Sequence, residues 1–176
     1  MRMRACPALL ALALTGLAAP APAQQAPGSG VAAADRTMIA TCVRESGEMP
    51  RACIGTIAVV CARQPGASRD GAEVDCSRRE AAVWRERLDL ALAAYAQRLE
   101  SGPRSRLAAL QRSWEGYAAQ KCAFAAEVQP AGRAAATQAA CELREVAIRA
   151  MEIERGLRRQ GGQPERPGDR RPQLQR

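Results

Sequence analysis

The sequence predicts an all-α protein: a small antiparallel helical bundle of two short and three long helices, stapled by disulfides. Alanine, leucine, arginine and glutamate dominate the middle of the chain, while the β-branched and aromatic residues that favour strands are sparse. Apolar residues recur at steps of three and four over three long stretches, and no stretch alternates with a period of two. An even set of cysteines follows the first 40 residues, which indicates a disulfide framework.

The N-terminus has the three-part layout of a secretory signal peptide. Two arginines precede an apolar run from about Pro7 to Ala19, and the small residues Ala21 to Ala23 follow it. The run is shorter than the roughly 18 residues that a membrane-spanning helix needs, and Cys6 lies before it, which disfavours a lipoprotein. We therefore expect 1–23 to be a signal peptide and the mature chain to be periplasmic or secreted, without a transmembrane segment.

Composition predicts the remaining domain boundaries. Residues 24–34 are expected to be a flexible lead-in, 35–157 a helical domain, and 158–176 a disordered tail rich in arginine, proline and glycine. The tail holds six arginines and two carboxylates, whereas 24–157 holds 18 basic and 16 acidic residues, so the domain is nearly neutral. The tail could contact an anionic envelope polymer, although a solvated terminus is the simpler interpretation. Export, and a tail without aromatic side chains, argue against nucleic acid as a partner.

The cysteines of the mature chain favour disulfides over metal or thiol chemistry. The chain has no histidine, and no two cysteines have the Cys-x-x-Cys spacing that zinc, haem and redox sites commonly use, so no cofactor is expected. Six cysteines remain after signal cleavage, namely Cys42, Cys53, Cys61, Cys76, Cys122 and Cys141.

Helix and turn signals give an order of elements. Asp35 is a predicted N-cap for a short helix to about Ser46, and a second helix is predicted from about Pro50 to Gln64. Long helices are predicted at about 75–101, 103–128 and 133–158, because their apolar stripes are separated by Ser-Gly-Pro and Gln-Pro-Ala-Gly-Arg segments. Such short turns place consecutive helices antiparallel.

The turns also select a disulfide pairing, since positions equally far from a turn face each other in an antiparallel hairpin. Cys53 and Cys61 cannot pair if one helix holds them about 12 Å apart, beyond the roughly 7 Å limit for Cα atoms. Each loop that the expected pairing closes contributes on the order of 3 kcal/mol by chain entropy. The expected pairs are Cys42–Cys53, Cys61–Cys76 and Cys122–Cys141.

The stretch QRSWEGYAAQKCAF, residues 111–124, concentrates large side chains that are rare elsewhere in the chain. Trp114 and Tyr117 are three residues apart and share a helical face, and Cys122 lies on roughly the same side. We expect this face to point into the bundle, where Trp84 could join the two aromatics in a core cluster. Packing is favoured over ligand contact because the core has few other large residues.

The same stretch resembles the signature of the exported family that carries the lysozyme-inhibitor LprI-like N-terminal domain. The order and spacing of the motifs make the resemblance specific, and it covers roughly 40–157. The matching residues in the stretch are Leu107, Gln111, Arg112, Trp114, Tyr117 and Cys122. Further matches are the CIGTIAVVC segment at 53–61, the series Cys76, Glu80, Trp84 and Leu88, and Cys141 with Arg149 and Ala150.

Two departures concern polar positions of the family pattern. Ala118-Ala119 stands where the family usually has Arg-Asp, and Leu88-Asp89 is followed by Leu92 and Tyr95 in place of Leu-Asn-x-x-Tyr. The resemblance therefore implies a shared scaffold more strongly than it implies a function that depends on these polar groups.

The resemblance implies a small helical envelope protein that inhibits a lysozyme by protein–protein contact. Many lysozymes are strongly basic, so an acidic inhibitor face would be expected, and this chain lacks that charge balance. The alternative is a non-catalytic scaffold module that contacts cell-wall polymer or a membrane-protein partner. An enzyme is disfavoured, because there is no histidine, phosphate loop or serine motif, and carboxylates such as Glu80 with Glu142, or Glu152 with Glu154, are simply explained as helix surface.

Export can be tested by the mass of the mature protein. The protein recovered from the envelope of an expressing bacterium should begin at Gln24, while a Leu10→Arg variant, which interrupts the apolar run, should stay uncleaved in the cytoplasm. Full-length protein in the envelope fraction would contradict the signal-peptide prediction.

Overall fold

The computed structural model of the chain describes residues 31–47, 49–64 and 69–160. The expected signal peptide, the first part of the lead-in and the tail from residue 161 lie outside the described residues. The described part contains helices and no strand, and three disulfides cross-link it. The predicted all-α, disulfide-stapled fold is confirmed.

The elements follow one another with short connections. They are α1 (Ala33–Glu45), a 3-10 turn (Pro50–Cys53), α2 (Ala58–Ala62), α3 (Arg69–Gln97), α4 (Ser101–Glu127) and α5 (Ala131–Gln160). The helix α1 begins inside the expected lead-in, and α5 runs into the expected tail. Arg104 closes the turn between α3 and α4, because its guanidinium donates to the carbonyl oxygens of Ala96 and Leu99 at 2.9 and 2.8 Å.

The helix α5 is central, since it packs along both α3 and α4. It runs parallel to α3: Arg133 near its start bonds to Glu73 at 2.9 Å, and Leu157 near its end accepts from Arg98 at 3.3 Å. It runs antiparallel to α4, which the Cys122–Cys141 bridge joins to it. The most extensive contact between helices is therefore that of α3 with α5, which are not consecutive in the chain.

Apolar residues of α3 and α5 form most of the core, which extends beneath α1 and α2. Trp84 is the largest fully buried side chain. The stripes predicted on α3 and α5 both face this core, which explains why these two helices pack most closely. Other large members are Ile39, Ile57, Val83, Leu88, Leu143, Val146, Met151 and Ile153.

The disulfides join the pairs expected from the turns. Cys42–Cys53 links α1 to the 3-10 turn, Cys61–Cys76 links α2 to α3, and Cys122–Cys141 links α4 to α5. Their Cα separations of 5.8, 5.7 and 5.4 Å lie in the usual range for a bridge. Every element is thus tied covalently to a neighbour in space.

Two local predictions are wrong. The helix predicted from Pro50 to Gln64 is a 3-10 turn, a bend at Gly55 with φ of 97°, and the short helix α2. Asp35 does not cap α1: Ala32 holds that position, and the Asp35 carboxylate is buried, where it accepts two hydrogen bonds from Arg79 of α3 at 2.7 and 2.8 Å. In both places, a contact from α3 replaces the local interaction that the sequence suggested.

Candidate functional site

The buried carboxylate of Glu80 organises the segment before α2. Its Oε1 accepts from the backbone N–H of Gly55 at 2.7 Å, and its Oε2 accepts from those of Ile57 and Ala58 at 2.9 and 2.8 Å. The indole N–H of Trp84 donates to Oε1 at 3.1 Å. These amides precede or begin α2, where no intrahelical acceptor exists, so the carboxylate supplies the acceptors that this short helix lacks.

Both carboxylate oxygens of Glu80 accept hydrogen bonds from groups inside the protein, and its side chain is fully buried. A carboxylate in this state cannot contact solvent or a ligand, so it has a structural role. Trp84 shares the site, and the guanidinium of Arg87 lies 5.7 Å from its ring centroid while bonding to Glu154 at 2.8 Å. The burial and hydrogen bonds of Glu80 therefore leave it unavailable as the acid or base of a pair with Glu142.

A second polar cluster joins α4 to α5. The Arg149 guanidinium, nearly buried, donates to the Gln111 side-chain oxygen at 3.1 Å and to Glu152 at 2.9 Å. It also lies 5.7 Å from the ring centroid of Trp114, and Arg85 approaches the same ring at 6.0 Å. Gln111, Trp114 and Arg149, all matched by the resemblance, thus form one contact between helices rather than separate ligand-binding groups.

Tyr117 does not point into the bundle, and that prediction is wrong. Its side chain is 59% exposed, and Lys121 lies over its ring at 5.8 Å. Leu110, seven residues before Tyr117 on α4, is 63% exposed as well. The expected cluster of Trp84, Trp114 and Tyr117 does not form, because two guanidinium groups pack against the Trp114 ring and Tyr117 faces outward.

Exposed apolar side chains line one flank of α4, which we call the α4 stripe: Leu110, Tyr117, Phe124 and Val128. The first three are seven residues apart, close to two helical turns, so they project in nearly the same direction over about 21 Å. Phe124 is 65% exposed. Two of the five aromatic residues in the whole chain therefore lie on this surface.

A groove of about 710 Å³ lies between α2, α3, α4 and α5. We call it the basic groove, because four cationic side chains line it and Glu73 is the one carboxylate among the described lining residues. Small residues form its apolar surface, so a ligand can approach the backbone of the surrounding helices closely. The cations are Arg63, Lys121, Arg133 and Arg144, and the small residues include Ala58, Ala62, Ala125, Ala136 and Ala140.

The four cations differ in their partners. Arg133 bonds to Glu73 at 2.9 Å, and Lys121 donates to Glu145 at 2.7 Å, a hydrogen bond that raises the pKa of Lys121 and keeps its amine charged. Arg63 and Arg144 have no ion pair among the described residues. These two guanidinium groups give the groove its available positive charge.

The remaining family-matched residues lie at different depths. Leu88 is fully buried, Leu107 is half-buried against the core, and Arg112 is exposed. Among the carboxylates considered above, Glu142 is exposed beside Gln138, while Glu152 and Glu154 bond to different arginines. The structure therefore does not bring these carboxylates together as an acid–base pair.

The alanines that depart from the family pattern leave a small cleft. Ala118 and Ala119 line a space of about 170 Å³ together with Arg85, Trp114 and Glu142. Larger polar side chains at these two positions would reach into this space, so the departure changes the surface beside Trp114.

Within the described ranges, no group of three or more His, Cys, Asp or Glu residues has the arrangement of a metal site. Likewise, no helix in the part of the chain that the structure describes is long and apolar enough to span a membrane.

A family profile described as lysozyme inhibitor LprI matches residues 61–153, which is more than half of the chain. The chain belongs to the lysozyme inhibitor LprI family. The match includes α3, α4 and nearly all of α5, and thus Glu80 and Trp84 of the first polar cluster, the whole of the second, the α4 stripe and most of the basic groove. Searches of curated proteins and of solved structures gave no match to this LprI-family chain.

Sequence reasoning missed the basic groove. The signal that could have indicated it is the pair Arg133 and Arg144, whose 11-residue spacing returns to the same side of α5 after about three turns. Its position beside α2 could not be read from the sequence, since α2 is held there by Glu80.

The Glu80 site predicts a specific loss of stability. Glu80→Gln should lower the free energy of unfolding by about 2 kcal/mol, because an NH₂ group replaces one oxygen and faces N–H donors. Glu142→Gln, on the exposed side of α5, should change it by less than about 0.5 kcal/mol. Urea unfolding of the oxidised proteins, followed by circular dichroism, measures both values. Equal effects of the two substitutions would contradict the assigned role.

Proposed function

We propose that this chain is an exported, non-catalytic protein that inhibits a lysozyme by direct contact. The family description supplies the activity class. The observation on this chain that carries the proposal is the α4 stripe, an exposed apolar surface on a helix whose other side is committed to α5.

Export is supported by the signal-peptide pattern and by the disulfides. All six cysteines of the described residues are paired, which suits an oxidising compartment such as the periplasm or the exterior. Lysozymes that attack the cell wall act in the same space, so export would bring the chain and its target together.

The α4 stripe has the composition of an interface centre. Exposed tyrosine and phenylalanine are enriched where protein partners contact each other, and a few such residues usually supply most of the binding energy. Here the core has only three of the five aromatic residues, although a bundle rich in alanine would gain from burying more. Placing Tyr117 and Phe124 on the surface therefore costs core stability, and a partner that covers them would recover that burial.

An apolar contact also resolves the charge problem of an inhibitor that is not acidic. Attraction between charges mainly accelerates association, whereas close apolar packing slows dissociation. On α5, the carboxylates of Glu145, Glu152 and Glu154 are already paired with cations of this chain. Affinity for a basic lysozyme would then depend on the α4 stripe, and the arginines of residues 158–176 would not contribute.

The stripe can be tested by a double substitution in a lysozyme assay. The mature chain from Gln24 should slow the clearing of cell-wall suspensions by at least one of several lysozymes. Tyr117→Ala with Phe124→Ala should raise the concentration for half-inhibition by tenfold or more, since two interface aromatics are removed. Both residues are exposed, so thermal stability should change little.

The matched control is Leu90→Ala, because Leu90 is 65% exposed but lies on α3. It should leave inhibition unchanged. Truncation after Gln160, the last residue of α5, removes the rest of the tail and should leave inhibition intact or improve it. Inhibition that depends on the tail, or no inhibition of any lysozyme at large molar excess, would refute the proposal and favour the scaffold alternative.

A further inference from the structure

The basic groove differs from the α4 stripe in chemistry and in shape, and the two surfaces adjoin at Lys121, which lines the groove and lies 5.8 Å from the Tyr117 ring centroid. The stripe is a convex apolar ridge, whereas the groove is concave, floored by small residues and lined by four cations with one carboxylate. Its volume of about 710 Å³ lies within the range of about 300–1,000 Å³ typical of small-ligand sites. The groove thus suits a short ligand better than the surface of a folded domain.

The positive charge of the groove lining favours an anionic ligand. Arg63 and Arg144 lack carboxylate partners among the described residues, and both line the groove. Guanidinium groups bind carboxylates through paired hydrogen bonds, which also fix the orientation of the ligand. Two such groups in one groove favour a ligand that carries more than one carboxylate.

The apolar lining distinguishes between kinds of anion. The described lining residues include no aromatic side chain, so the groove offers no flat surface for stacking a sugar ring or a base. Instead, alanines from three helices leave room for a main chain with small side chains to lie close to the protein, and Ser77 and Thr137 add hydroxyl groups that can bond to it. A short peptide fits this lining better than a glycan or a nucleotide.

The chain's own segments outside the described residues are poor occupants by charge. Residues 161–176 hold four arginines and two carboxylates, and residues 24–30 hold no carboxylate. Neither segment complements a groove lined mainly by cations. The occupant must therefore come from elsewhere.

We propose that the basic groove binds a short peptide with several carboxylates, and that its source is the peptide stem of the bacterial cell wall. Such stems combine carboxylates with mostly small side chains, as the lining requires. This source rests on the export and the place of action given under the proposed function. The chain would then hold the wall through the groove while the α4 stripe remains available to a lysozyme.

Titration calorimetry with soluble wall fragments tests the groove directly. The probe is a purified disaccharide that bears its peptide stem, and the comparison ligand is the same disaccharide without the peptide. The mature chain should bind the first and not the second, and binding should weaken as salt is raised. Amide resonances of Ala62, Thr137 and Ala140 should shift on addition of the first ligand only.

Two matched double variants separate a site from general charge attraction. Arg63→Gln with Arg144→Gln should weaken binding at least tenfold. Arg78→Gln with Arg112→Gln removes the same charge from exposed positions that do not line the groove, and should change binding less than twofold. Far-UV circular dichroism confirms that both variants keep the helical fold.

Three results would overturn the inference: no binding of the stem-bearing fragment at millimolar concentration, equal binding of the peptide-free disaccharide, or equal losses in the two double variants. Tighter binding of a short acidic peptide made only of L-residues would assign the groove to a protein segment and reject the wall as its source. No lysozyme is present in these titrations. Their failure is therefore distinct from a failure of inhibition, which depends on the α4 stripe and not on Arg63 or Arg144.

Discussion

The carboxylate of Glu80 supports the part of the molecule that apolar burial alone holds weakly. The segment from the 3-10 turn to α2 has few large buried side chains, and α2 is only five residues long. The N–H groups at the start of a helix have no acceptor within it, which would be costly next to a core. Glu80 supplies acceptors to the N–H of Ala58, which begins α2, to those of Gly55 and Ile57 just before it, and to Trp84. It thereby ties the segment to α3.

The disulfides and this carboxylate act on the same segment. Cys42–Cys53 holds its beginning to α1, and Cys61–Cys76 holds its end to α3. Between the two bridges, the positive φ of Gly55 turns the backbone so that its N–H points at Glu80. The result is a rigid wall for the basic groove, because Ala58, Ala62 and Arg63 all belong to this segment or follow it directly. The shape of the basic groove thus depends on the hydrogen bonds of Glu80, although Glu80 does not line the groove.

The sequence predicted the long helices and the disulfide pairs, since apolar periodicity and turn positions are local properties. It failed where a distant side chain decides the structure. The predicted helix from Pro50 to Gln64 is interrupted because Glu80, more than 20 residues away, replaces its internal hydrogen bonds. The prediction that Tyr117 is buried failed because α4 contacts α5 through Gln111, Trp114 and Cys122. This side of α4 is partly polar, so its apolar periodicity does not identify it as the buried side. A helix attached in this way can present its apolar flank to solvent.

Amide hydrogen exchange of Gly55, Ile57 and Ala58 tests the role of Glu80 most directly. If the carboxylate holds these N–H groups as described, they should exchange only through opening reactions with free energies close to that of global unfolding. The amide of Gly102, exposed in the first turn of α4, should exchange with far less protection and serves as the internal reference. Exchange of Ile57 and Ala58 as fast as that of Gly102 would contradict the account, because the segment would then open without disturbing the core.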